Sequence, residues 1–251
     1  MTQLKTKVRD LAPAAREYGT EAIKRLGRPP VRSFDARWSV VSSLHDQKPQ
    51  PSRRLIELAL DAARLAMDVD VSGIAARAIP EERVWVESWP GEHYRLLLAL
   101  TRLLDAEKII EVGTFTGMGA LSLLEGQSPS GKVITYDIFP WDSFENTLLR
   151  SSDPWNRIDQ RLGDLADPSF FATQKQDFLD ADFIFVDGPK DGVFEPKFVK
   201  LLVEQLAGTG KIVMFDDIRT MPMLQLWRDL DVAKLDVTSF GHWSGTGLIE
   251  L

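Results

Sequence analysis

From Lys108 onward, short β-branched and apolar runs alternate with longer stretches whose apolar positions recur every three or four residues. That rhythm predicts strands separated by helices. The predicted strands are residues 108–112, 132–136, 158–162, 183–186, 211–215, 235–240 and 246–251. Strands and helices in this order predict an α/β fold with a doubly wound parallel sheet of seven strands. Only Gly241 to Gly245 separates the last two, too short for a crossover helix, so these two are predicted to form an antiparallel C-terminal hairpin.

The first ninety residues lack this rhythm and read as a helical extension. Residues 12–26 have helical composition and stop before Gly27, Pro29 and Pro30, and residues 48–52 carry a second break around Pro49 and Pro51. Over residues 54–67, Leu55, Ile56, Leu58, Leu60 and Leu65 form one broad apolar stripe, and Leu97, Leu98, Leu100 and Leu104 repeat the pattern over 94–104. The expected division is a helical extension over 1–90, acting as a lid or a homo-oligomer contact, and a catalytic domain over 91–251. Trp85, Trp89 and Pro90 stand where they could form one wall of a pocket.

Composition narrows the class. The longest apolar run, Leu96 to Leu100, is far below the roughly 18 residues of a membrane span, and residues 1–10 show neither a secretory h-region nor a lipidation motif. With no cysteine in 251 residues, disulfides, thiolate metal sites and cysteine nucleophiles are excluded, and a cytoplasmic setting is expected. The net charge of −7 disfavours polyanions. Up to Arg32 there are eight basic residues against three acidic ones, but with Tyr18 alone among them there is no interleaving of basic and aromatic residues as a base-stacking platform requires, so a solvated helix face is preferred over nucleic-acid binding.

The most informative segment is Glu111, Val112, Gly113, Thr114, Phe115, Thr116, Gly117, Met118, Gly119, between the first predicted strand and a helix. Glycines there let a ligand approach the backbone, and the helix start offers N–H donors to an anionic group. Gly113 and Gly117 stand four apart, unlike the G-x-G-x-x-G of nicotinamide enzymes, which disfavours a dehydrogenase. The second strand ends in Asp137 and Ile138, where a carboxylate can accept both hydroxyls of a ribose, and the third in Gly163, Asp164 and Leu165, where an adenine can be met. Asp is also common in turns and at helix caps. Three such loops in succession argue for a nucleotide-type cofactor.

Residues 94–119, Val133 to Asp137, the run Asp182 to Lys190, and Gly210 to Asp217 together resemble the S-adenosylmethionine-dependent class I O-methyltransferases of the caffeoyl-CoA and catechol type. The resemblance covers 94–251 and leaves the N-terminal part unmatched. It implies a Rossmann-like methyltransferase sheet with an antiparallel final hairpin, and methyl transfer to the hydroxyl of a small molecule. By the same resemblance Glu111, Gly113 and Gly117, with Thr114 and Phe115 between, surround the methionine part of the cofactor. Asp137 and Ile138 lie at the ribose, Asp164 and Leu165 at the adenine, and Asp187 closes the cofactor site. Asp187, Asp216 and Asp217 are implied as metal ligands, and Lys190 with Asp187 as the catalytic pair, Lys190 being the general base. This sequence departs from the family at Asp217, where Asn is usual, at Gly119, where Ser is usual, and at Gly188 and Pro189, where Ala-Asp or a His-aromatic pair is common.

The chemistry gives its own reasons for these residue types. Methyl transfer from a sulfonium is an in-line displacement that needs a positioned oxyanion. A hard cation supplies one by lowering the pKa of the oxygen bound to it, and carboxylates without Cys and with few His suit Mg²⁺. A nearby cation and partial burial are expected to depress Lys190 toward a working base. As structural alternatives, Asp216 and Asp217 are loop residues before a helix starting near Thr220 and Pro222, and Lys190 is an exposed lysine in a polar turn. His242 and Trp243 are candidate pocket residues in the last hairpin loop. The rival readings are a metal-independent methyltransferase of a sugar or natural product, a cofactor-binding protein without turnover, and a nicotinamide-dependent oxidoreductase.

Overall fold

Alternation along the central strands decides which side chains reach which face of the sheet. In the computed structural model, which describes residues 49–241 and 243–251 (backbone alone at 221 and 222), even positions of strand β1 (Lys108–Val112) point one way and odd positions the other. The remaining strands are β2 (Lys132–Asp137), β3 (Ile158–Leu162), β4 (Phe183–Val186), β5 (Ile212–Asp216), β6 (Ala233–Asp236) and β7 (Thr246–Glu250). They form one seven-stranded sheet in the order β3-β2-β1-β4-β5-β7-β6, parallel except that β7 runs antiparallel to both β5 and β6. This is the predicted α/β architecture. The order reverses beside β1, placing a crevice at the carboxyl ends of β1, β2 and β4.

Helices cover both faces. α1 (Arg53–Asp68), the short α2 (Ser72–Ala75), α3 (Pro80–Glu87) and α4 (Tyr94–Leu103) precede β1; α5 (Met118–Gly126), α6 (Pro168–Asp180), α7 (Phe194–Leu206) and α8 (Met221–Asp229) connect the strands. On one face Ile110, Ile134, Ile184 and Val213 pack against Phe178 of α6, Phe198 of α7 and Trp227 of α8. On the other, Ile109, Val133, Phe185 and Met214 pack against Leu55 and Ala59 of α1, Leu97 of α4 and Ala120 of α5. α1 thus shares the sheet's core, and residues 49–251 fall within one unit.

Two expectations need correcting. The buried side of α1 is Leu55, Ala59, Ala62, Ala63 and Ala66, whereas Ile56 and Leu60 are 41% and 44% exposed. Small alanines let α1 lie close to α4, so volume rather than hydrophobicity selects this face. The sixth strand begins and ends earlier than its β-branched run predicts, and the connection to β7 is 237–245 rather than 241–245. Asp236 explains the end: its Oδ1 accepts from the backbone N–H of Thr238 at 2.9 Å, closing a polar turn. The basic segment up to Arg32, residues 12–26 and His242 lie outside the described residues. No described helix is long and apolar enough to cross a membrane.

Candidate active site

At the carboxyl ends of β1, β2, β3 and β4 a cavity of about 510 Å³ opens. Gly113, Phe115, Asp137, Ile138, Asp164, Leu165, Asp187 and Lys190 line it, so eight of the expected site residues meet on one wall system. Asp137 ties the loops together. Its Oδ2 accepts from the Phe115 N–H at 2.9 Å, and its Oδ1 accepts from the N–H groups of Ile138 (2.7 Å) and Phe139 (3.0 Å). Phe115 is 56% exposed and meets Phe144 edge to face at 4.9 Å, giving the mouth an aromatic rim. Asp164 Oδ1 accepts from the Ala166 N–H at 2.8 Å, an Asx-turn.

Glu111, Thr114 and Gly117 do not reach the cavity wall. Glu111 occupies an odd position of β1 and is buried; its Oε2 accepts from the Thr135 hydroxyl at 2.6 Å. Burial pushes its carboxyl well above the ordinary value. A Cβ at Gly119 would lie 2.1 Å from Glu111 Oε1, so glycine there makes room for this carboxylate. Thr114 is buried against the Thr135 hydroxyl at 2.7 Å. Gly117 starts α5 with φ 83° and faces the side chain of Leu149. Trp85, Trp89 and Pro90 are absent from the cavity lining, as is Trp243, which is 81% exposed.

A charged cluster closes the other end. Lys190 Nζ pairs closely with Asp187 Oδ1 and lies 2.9 Å from Asp217 Oδ2 and 3.4 Å from Asp216 Oδ2. Its backbone N–H donates to Glu195 Oε1 at 2.6 Å, from a buried glutamate that the sequence reading did not single out. Burial alone would lower the lysine pKa, but the charges of Asp187, Asp216 and Asp217 outweigh it and hold Lys190 above its ordinary value. Without a cation beside them, these carboxylates favour the ammonium form of Lys190; the depressed lysine is expected with a cation nearby.

His93, also unforeseen, stands on the opposite side of the same acids. Its Nδ1 is 3.1 Å from Asp216 Oδ1 and its Nε2 4.0 Å from Asp187 Oδ2, with the ring against Tyr94 and Phe185. Burial opposes its protonation, but the charge of Asp216, its contact with that acid, and Asp187 together raise its pKa. His93, Asp187 and Asp216 each offer an atom within 4.8 Å of the others and so can hold a metal ion; Asp217 is not one of this group. Phe115, Lys190 and Asp217 all have left-handed backbone, φ 42°, 54° and 59°. Non-glycine residues held this way cluster at functional sites.

The sequence model of the O-methyltransferase family matches residues 82–227, more than half of the chain. This chain belongs to that O-methyltransferase family. The matched stretch runs from α3 to α8, and so holds the cavity, His93, Lys190 and the three aspartates. Among solved structures, the fold is similar to that of the O-methyltransferase TomG from Streptomyces achromogenes, involved in tomaymycin synthesis and solved with SAM, at 19% identity over 77% of this chain and 96% of that one, TM-score 0.52. It is also similar to a methyltransferase from Geobacter sulfurreducens, at 20% identity over 80% of this chain and 98% of that one, TM-score 0.50. At these identities the likeness is one of fold.

Proposed function

We propose that this O-methyltransferase-family chain transfers the methyl group of S-adenosylmethionine to a hydroxyl of a small molecule. The observation that carries the reading is the cavity itself. Its Asp137 and Asp164 end suits a nucleoside, and its Asp187 and Lys190 end is charged where the acceptor oxygen would react. Its volume is that of a site for a cofactor and a small ligand. The four-residue spacing of Gly113 and Gly117 favours this cofactor over a dinucleotide. TomG, solved with SAM, lends the analogy.

In this reading Asp137 keeps lone pairs for ribose hydroxyls beyond its three backbone donors. Asp187 lines the cavity and accepts the hydrogen bond of the acceptor hydroxyl, and receives its proton as the oxygen bonds to the methyl carbon and the carbon–sulfur bond breaks. The Lys190 ammonium keeps its proton on Nζ and stabilises the developing anionic oxygen. Glu195 holds Lys190 in place through its backbone. Two carboxylates and an imidazole also suit a divalent cation, which when bound would lower the pKa of the acceptor hydroxyl. Cofactor-loop chemistry does not choose the acceptor. Incubation with methyl-labelled S-adenosylmethionine and panels of catechols, hydroxylated natural products and sugars tests the reading. S-adenosylhomocysteine release with label on an acceptor oxygen is expected; cofactor binding with no transfer to any hydroxyl contradicts it.

A further inference from the structure

Asp187 and Asp216 are two-faced. Asp187 presents Oδ1 and Asp216 Oδ2 to the Lys190 ammonium, while Asp187 Oδ2 and Asp216 Oδ1 face the imidazole of His93. Asp217 Oδ2 joins the ammonium side. A cation on the imidazole side therefore does not compete with Lys190 for oxygens. We infer that His93, Asp187 and Asp216 form a site for a divalent transition-metal ion, with His93 as a ligand in place of Asp217; this rests on the methyltransferase reading only for its place beside the acceptor.

Two observations support it. Metal–ligand bonds of about 2.1 Å put neighbouring ligand atoms about 3 Å apart and opposite ones about 4 Å apart. His93 Nδ1 and Asp216 Oδ1 already stand 3.1 Å apart, and one atom from each of the three residues falls within 4.8 Å of the others. His93 is 1% exposed and wedged against Tyr94 and Phe185, so its ring is held in position before a metal arrives. The nitrogen donor sets the class of ion. Mg²⁺ prefers all-oxygen ligands and keeps its waters, whereas imidazole favours ions along the series from Mn²⁺ to Cu²⁺ and Zn²⁺.

The test uses the tag-free full chain, stripped with EDTA, freed of chelator and titrated calorimetrically with MgCl₂, MnCl₂, CoCl₂ and ZnCl₂, with S-adenosylhomocysteine titrated in parallel. Co²⁺ and Zn²⁺ are expected to bind at least about tenfold tighter than Mg²⁺, and His93→Gln to cost about tenfold or more in Co²⁺ affinity while Mg²⁺ changes little. Asp216→Asn should weaken Co²⁺ as strongly, and Asp217→Asn far less. Should His93→Gln fail to fold, Cu²⁺ bound to the unaltered chain gives an electron paramagnetic resonance spectrum, expected to show nitrogen hyperfine splitting. Equal affinity for Mg²⁺ and Co²⁺, equal damage from Asp216→Asn and Asp217→Asn, an oxygen-only Cu²⁺ spectrum, or no ion bound would each overturn the inference. S-adenosylhomocysteine binding without a metal leaves the proposed function standing. Metal binding without S-adenosylhomocysteine does the reverse.

Discussion

Gly113→Ala tests how the strand ends shape the cavity. A Cβ at Gly113 would lie 2.0 Å from the Asp187 carbonyl oxygen and 2.9 Å from its carbon, and Gly113 has φ 102°. Ordinary carbon–oxygen contact needs about 3.3 Å, so the tips of β1 and β4 must part by more than an ångström. Two hydrogen bonds oppose this, from Asp187 N–H to Val112 O and from Gly113 N–H to Tyr136 O, both 2.8 Å. Losing them costs about 1 kcal/mol each, and left-handed backbone about 1–2 kcal/mol more, for a total of about 3–4 kcal/mol. At about 2–4 °C per kcal/mol for a chain of this size, Tm should fall roughly 6–16 °C. Asp187 and Gly113 line the cavity, so S-adenosylhomocysteine affinity should fall as well. Gly73→Ala is the control, since a Cβ there meets nothing within 4 Å and φ is not positive; it should be neutral or stabilising by up to about 1 kcal/mol. Thermal unfolding and calorimetry read both. A Gly113→Ala protein within about 2 °C of wild type with unchanged affinity would refute the reasoning.

Three further outcomes follow from buried polar groups. Because burial raises the Glu111 pKa in the fold, the folded chain keeps a proton that the unfolded chain releases above the ordinary value of 4.5. Its stabilising contribution is full below that pH and is lost as pH rises toward the folded value, so Glu111→Gln should equal wild type in acid and exceed it at neutral pH; urea titrations showing the opposite trend would contradict this. Glu195→Ala should cost about 1–3 kcal/mol by orphaning the Lys190 N–H, and Glu195→Gln, which keeps an acceptor, clearly less; equal losses would argue against the bond. Lys234 is buried and donates through Nζ to the carbonyls of Trp227 (2.6 Å), Leu230 (2.8 Å) and Arg228 (3.1 Å) at the end of α8. Lys234→Met should cost about 2–4 kcal/mol in denaturant unfolding, and a loss below about 1 kcal/mol would contradict this role.

What the sequence revealed was what repeats locally. The apolar runs of β1, β2, β4 and β5 are buried on both faces and read as continuous hydrophobic segments, so their places were legible, as were Asp137, Asp164, Asp187 and Lys190 at strand ends. β6 was misplaced because Val237, Thr238 and Phe240 have strand-like propensity, while Asp236 and Thr238 close a turn instead. Lys234 sits buried inside that strand with its Nζ on three carbonyls at the end of α8, which no local pattern signals. His93 lies far along the chain from Asp187 and Asp216, and nothing at the foot of α4 shows that the sheet will bring the three together. The surroundings of Lys190 were hidden for a related reason: position at a strand end was visible, but three carboxylates converging on one Nζ arise only in the folded site.

Calorimetric titration of the wild-type chain and of Asp137→Ala with S-adenosylhomocysteine and, separately, with NADH tests the central claim most directly. Asp137 joins Phe115, Ile138 and Phe139 through one carboxylate at the cavity wall, so the account predicts that wild type binds S-adenosylhomocysteine and not NADH, and that Asp137→Ala loses about tenfold or more of that affinity. Binding of NADH without S-adenosylhomocysteine, or full affinity in Asp137→Ala, would contradict it.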